Sequence, residues 1–216
     1  MWGNEMNVPS GTKDKIIDCS LRLFSKKGYS GVSVKEIAAA VGIKDSSLYK
    51  HFKSKREIFD TILTQMTARM DELTAELHIA DAYEGDVTQY YTSLTMDDLI
   101  MLSKQLLLFY LTDPFAAEFR RMLTIEQYND SEISGIYKKI FLEDSIAYQT
   151  VVFKQLSDCG YFKKKDPKTM AVNFYAPIFY IITRFDGDDE HLHESLDMVE
   201  NHVREFSRIY LKKTKA

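Results

Sequence analysis

A chain of 216 residues with 45% apolar and 28% charged side chains, 9 Gly and 4 Pro has a globular composition, which excludes collagen-like, low-complexity and disordered classes. Its net charge of −4 is unevenly laid: residues 1–56 hold 11 Lys and Arg against 5 Asp and Glu, and the remainder 17 against 27. A basic head on an acidic body points to a polyanion that meets the head alone.

The helix starts are legible, because each must satisfy free backbone N–H groups with side-chain acceptors. No segment alternates with the period of a strand, and the first ten or so residues are expected to lack fixed structure. From about Thr12 to Lys27, Ile16, Ile17, Leu21 and Phe24 form one apolar face and Gly28 the stop. Ser33 and Glu36 have the spacing of a capping box for a short helix ending near Val41 and Gly42. Asp45 is expected to cap the next short helix, 46–52, and Ser54 with Glu57 to open a longer one through the Leu73 region. Thr95 and Asp98 open a helix through Thr112, apolar on nearly all sides over 99–111 and so expected to be buried all round.

Asp113-Pro114 and Asp166-Pro167 each set a cap before a proline at the first helical position, and Ser131 starts a helix that should stop at Gly160. Helix 167–184 carries Ala171, Phe174, Ile178 and Ile182 on one stripe, with Pro177 as a kink. The last helix, 189–211, spaces Leu192, Leu196, Val199, Val203, Phe206 and Tyr210 by threes and fours. Such seams bury themselves within one chain or against the same pair from a second copy. The four-helix dimer is the expectation, with Phe174, Ile178, Ile182, Leu192, Leu196, Val199, Val203 and Phe206 at its interface.

Helix 33–41, a turn at Gly42 and helix 46–52 make a helix-turn-helix, whose second helix enters the DNA major groove. Leu48 and Phe52, four apart, face the core, so Ser46, Ser47, Tyr49, Lys50 and His51 face outward. Lys44 and Lys50 reach phosphate or guanine acceptors, the serines sit at a helix N-terminus that attracts phosphate, and Lys53 and Lys55 extend the charge onto the next helix.

The stretch GVSVKEIAAAVGIKDSSLYKHFKSKREIF resembles the N-terminal DNA-binding region of the TetR family of bacterial transcriptional regulators. Over residues 10–60 the likeness extends to Val34, Ile37, Ala38, Val41, Gly42, Leu48, Tyr49, His51, Phe52 and Lys55 at the family's motif places. Beyond residue 60 only the helical layout and length agree. The resemblance implies an all-α protein with a three-helix DNA-binding domain over 1–60, its motif at 33–52, and a helical ligand-binding and dimerisation domain over 61–216. It further implies a homodimer that binds a near-palindromic double-stranded operator, usually as a repressor, and leaves it when a small molecule binds the C-terminal domain. Carried over by residue, Ser33, Tyr49, His51 and Lys55 would touch phosphates, while Lys44, Ser46, Ser47 and Lys50 occupy the places where such proteins touch bases.

The acidic body is rich in aromatics, and rings with polar tips line many pockets for flat or greasy ligands. Tyr91, Met101, Phe109, Tyr110, Tyr137, Phe141, Tyr148, Phe174 and Tyr175 are the candidates for an apolar or aromatic effector. His191 and His193 stand two apart on a helix and diverge too far to share a metal there, so no metal or cofactor is expected. Cys19 and Cys159 form no CxxC pair, and neither a zinc site nor a disulfide framework is indicated. The opening MWGNEMNVPSG lacks the basic and apolar regions of an export signal. The longest charge-free apolar run, 169–183, falls short of the ~20 residues that span a bilayer. A cytoplasmic protein is therefore expected. No nucleotide loop, HExxH or GxSxG motif supports an enzyme, and a DNA-binding regulator without small-molecule input remains the alternative.

Overall fold

The computed structural model describes residues 11–79 and 85–212; the opening 1–10, expected to lack fixed structure and an export signal, lies outside the described residues. In chain order the helices are α1 (Thr12–Lys27), α2 (Val34–Val41), α3 (Asp45–Leu48), α4 (Lys55–Glu76), α5 (Thr88–Ser93), α6 (Met96–Thr112), α7 (Pro114–Glu126), α8 (Ser131–Lys138), α9 (Asp144–Asp158), α10 (Pro167–Arg184) and α11 (Leu192–Tyr210). A π-helical turn, Lys139–Glu143, joins α8 to α9, and a 3-10 turn, Asp189–His191, leads into α11. Among the described residues there is no strand, only one isolated antiparallel bridge between Phe162 and Leu211.

Two compact units result, one from the described residues up to Leu73 with Glu118–Tyr137, the other from the described parts of Thr74–Ala117 and of the chain from Lys138 on. In the first, Ile16, Ile17, Leu21 and Phe24 of α1, Ile37 and Ala38 of α2, Leu48 of α3, and Ile58, Phe59 and Ile62 of α4 are all buried. Phe119, Met122 and Leu123 of α7 are buried in the same unit. Except at α3, the caps read from the sequence form as side-chain bonds. Ser33 and Glu36 close a full capping box on α2, and Ser54 Oγ accepts from Glu57 N at 3.1 Å at the start of α4. The return bond of Glu57 goes one residue further back than the box requires, to the N–H of Lys53 at 2.6 Å. Asp45 stands in the first turn of α3 instead of capping it; Lys44 holds the cap position and makes no side-chain bond there.

In the second unit, Thr95 and Asp98 close a capping box on α6, Asp113 Oδ1 accepts from Ala116 N at 2.8 Å, and Asp166 caps α10 through Thr169 N. α6 is not buried all round: Ile100, Leu107 and Leu111 are buried, whereas Met101 is 55% exposed. The seam of α11 is covered from within the unit. Val199 and Val203 pack among Leu107, Leu111, Ile181, Ile182 and Phe185, with Ile178, Leu192 and Leu196 partly buried against them. Phe206 packs with Phe153, Phe162 and Met170, and Phe174 leans on both groups. Ile182, Val199, Val203 and Phe206, expected to meet a second copy, thus occupy the unit's own core. Helices α6 and α9 supply the apolar surface that covers them, a tertiary pairing that heptad-like spacing leaves open. What α10 turns outward instead is Val172, Ala176 and Tyr180, with Tyr180 57% exposed.

Candidate nucleic-acid interface and cavity

The turn between α2 and α3 is built by Gly42, whose φ of 79° lies in the left-handed region. Its N–H bonds the Ala39 carbonyl at 3.2 Å, and the N–H of Ile43 bonds that of Ala38 at 3.0 Å. That is the Schellman arrangement, and it satisfies the last carbonyls of α2 while the chain reverses. The Lys44 carbonyl then accepts from Ser47 and Leu48, and the Leu48 carbonyl from His51 and Phe52 at 2.9 and 3.0 Å, so α3 continues as tight turns to Phe52. Leu48 and Phe52 are 0% and 1% exposed. Burial of two such side chains contributes about 1.5–3 kcal/mol each and fixes which face points out.

On the outer face Lys44, Ser46, Tyr49, Lys50, His51 and Lys53 are exposed, with Ser47 half-buried beside them. Lys35, overlooked in the sequence reading, is exposed in the first turn of α2. Ser33 is exposed too, but its hydroxyl is engaged by its own helix, donating to Glu36 Oε2 at 2.9 Å and accepting from Glu36 N at 3.2 Å. Lys27 Nζ, 2.8 Å from Glu36 Oε1, and the Ser33 N–H and hydroxyl hold the Glu36 carboxyl down at about 2.

Lys55 differs from the other basic residues. Its ammonium donates to the carbonyls of Tyr29 and Val32, both at 2.8 Å, and sits 4.3 Å from the centre of the Tyr29 ring. Burial lowers its pKa, opposed by the nearby Glu126 and Glu36 carboxylates. The structure therefore turns Lys55 into the unit, as a clamp on the turn that leads into α2. Glu126 of α7 grips the same turn from another side: fully buried, it accepts from the Ser30 N–H at 3.0 Å and from the Ser30 hydroxyl. Gly28 makes room for it, since a Cβ there would lie 2.6 Å from Glu126 Oε2 and its φ of 75° disfavours a side chain. No local pattern marks Glu126, because its partners are 96 positions away.

The second unit contains a cavity of about 150 Å³. One wall is Leu99, Leu102, Ser103 and Leu106, one stripe of α6; another is Tyr148, Gln149, Val152, Phe153 and Leu156 of α9. Tyr91, Phe174 and Phe206 close it together with residues flanking the Phe162 bridge. Of the nine aromatic and Met candidates, Tyr91, Tyr148 and Phe174 line it. The hydroxyls of Tyr91 and Tyr148 bond each other at 2.9 Å, and burial drives the Tyr91 phenol far above its ordinary pKa. Phe109, Tyr110, Phe141 and Tyr175 gather elsewhere in the unit: Tyr110 meets the rings of Phe109 and Phe141, and Tyr175 donates to the Phe141 carbonyl at 2.7 Å. Met101 is on the surface, and Tyr137 belongs to the first unit. Ser103 and Gln149, polar residues set in apolar helical stripes, were the available sequence signal for these walls.

No helix among the described residues is long and apolar enough to cross a membrane, and no group of three or more His, Cys, Asp or Glu there could hold a metal ion.

Comparison with known proteins matches residues 16–62 to the family described as bacterial regulatory proteins, tetR family. Over 48 residues the chain is 54% identical to the biofilm operon icaADBC HTH-type negative transcriptional regulator IcaR of Staphylococcus aureus strain Newman, 22% of this chain and 26% of that protein. The match thus spans about a quarter of that relative's length. Among solved structures, the SmeT–triclosan complex aligns over 94% of this chain and 92% of its own with a TM-score of 0.67 at 17% identity. SmeT is described as the repressor of the Stenotrophomonas maltophilia multidrug efflux pump SmeDEF. AibR, solved with isovaleryl coenzyme A and operator DNA, aligns over 88% and 96% with a TM-score of 0.59 at 20% identity. These likenesses establish the all-helical fold over nearly the whole chain.

Proposed function

From a chain that belongs, through its N-terminal helices, to the tetR family of bacterial regulatory proteins, we propose a dimeric, cytoplasmic transcriptional regulator, a repressor that leaves a palindromic operator when a small molecule fills the cavity of its second unit. The observation that carries the reading is the outward set Lys44, Ser46, Tyr49, Lys50, His51 and Lys53, held on a segment whose inward anchors Leu48 and Phe52 are buried. In this reading Lys44, Ser46, Ser47 and Lys50 meet base edges in the major groove and Tyr49, His51 and Lys53 meet phosphates, while Ser33, whose N–H and hydroxyl both donate to Glu36, acts as the cap of α2. Lys55 acts by positioning the turn into α2. Support for repression comes from IcaR, named a negative regulator, and for effector control from the ligand complexes of SmeT and AibR.

The test begins with operator selection from random duplex DNA. Lys50→Ala should then cost about 1–3 kcal/mol of operator affinity and relax the preference at one base position, and Tyr49→Ala should weaken all sequences alike. If both variants, folded as judged by circular dichroism, bind the selected operator like the parent, the interface lies elsewhere.

A further inference from the structure

We propose that the cavity of the second unit takes an uncharged, single-ring aromatic molecule bearing one hydroxyl, a compound of the phenol class, with its hydroxyl on the Gln149 side chain; this rests on reading that cavity as the effector site. Size sets the first limit. A cavity of about 150 Å³ is the volume that elsewhere accepts a benzene ring within an apolar protein interior.

The walls set the second limit. Among the described lining residues none is Asp, Glu, Lys, Arg or His, so an ionised ligand would lose its hydration there and meet no counter-charge. Phe174 stands edge-on to Phe206 at 4.9 Å and to Phe153 at 5.7 Å, which offers both ring edges and ring faces to a flat guest.

The third limit is polar and local. The hydroxyls of Tyr91 and Tyr148 already bond each other, and Ser103 donates to the Leu99 carbonyl at 2.8 Å. Gln149 Oε1, by contrast, is buried and has no hydrogen-bond partner among the described residues. An unmet buried acceptor is costly, and a ligand that supplies a donor removes that cost. A hydroxyl both donates and accepts, so it suits the side-chain amide in either orientation of its oxygen and nitrogen.

Isothermal titration of the 216-residue chain with four probes tests this: phenol, toluene, benzoate and benzyltrimethylammonium. Phenol should bind about tenfold more tightly than toluene although it is the less hydrophobic ring, and neither ion should compete. Gln149→Met, close in volume but without the amide, should bring toluene level with phenol or ahead of it. The parent protein's own ranking keeps the test valid if that variant folds poorly. Toluene matching phenol on the parent protein overturns the hydroxyl assignment; tighter binding of either ion, or heat from none of the probes, overturns the ligand class. Operator affinity is measured separately. Phenol that binds as expected yet leaves that affinity unchanged upholds the ligand class and brings down the effector reading instead.

Discussion

Lys55 and Lys53 stand two positions apart in one basic run, and the structure gives them opposite orientations. Lys53 is exposed, while Lys55 bonds the Tyr29 and Val32 carbonyls. Lys55→Met should leave those carbonyls short of a donor and destabilise the N-terminal unit by about 1–3 kcal/mol in urea unfolding. Lys53→Ala should change stability by no more than about 0.5 kcal/mol, yet lower the slope of operator affinity against salt by about one ion. A Lys55→Met variant with parental stability and the same loss of salt slope would restore Lys55 to the phosphate contacts that the family resemblance assigns it. The difference between the two lysines was not legible in sequence, because it depends on carbonyls 26 and 23 positions away. The same reason hid Glu126. What was legible was the alternation of Leu48 and Phe52 with their polar neighbours, since four-residue spacing on one helical segment alone decides which side chains share a face.

Capping operates at the scale of the helix, and at most starts, though not at Asp45, local chemistry is sufficient. Ser33 with Glu36, Thr95 with Asp98, and the Asp-Pro pairs at 113–114 and 166–167 all form the bonds their spacing implies. The π-helical turn at 139–143 carries no comparable signal, and a helix expected to run unbroken from Ser131 to Gly160 is interrupted there. The α2 cap also yields a pH dependence. The Glu36 carboxyl is held at about 2, below its ordinary 4.5, chiefly by the bond from Lys27 and then by Ser33. A carboxyl depressed by folding contributes stability that is complete above its free value and is lost as pH falls toward its folded one. Amide exchange at residues 33–37 should therefore quicken as pH drops from 4.5 toward 2, after correction for intrinsic rates. Glu36→Gln should flatten that dependence. An unchanged profile in the variant would mean that another group governs the start of α2.

Spacing along α11 announced a buried stripe without saying what would cover it, and the answer bears on assembly. Val199 and Val203 are 0% and 3% exposed within one chain, so they hold the second unit together and are not available to a partner. Val172, Ala176 and Tyr180 recur every four residues on the outer side of α10, and Val172 and Tyr180 are 44% and 57% exposed. A second copy packed along that stripe would bury it and make the paired heads that a two-fold operator requires. Val172→Asp with Tyr180→Asp should then yield a folded monomer in sedimentation velocity. Its operator affinity should fall at least about a hundredfold, because the second head no longer binds as part of the same molecule. Val199→Asp should behave differently: a carboxylate among Leu107, Leu111 and Ile181 has no partner there, and the loss should appear as unfolding. If the Val172 and Tyr180 double variant sediments as a dimer, the face that joins two copies is not the outer side of α10. If it is monomeric yet binds the operator as tightly as the parent, one head suffices for recognition and the palindrome has no role.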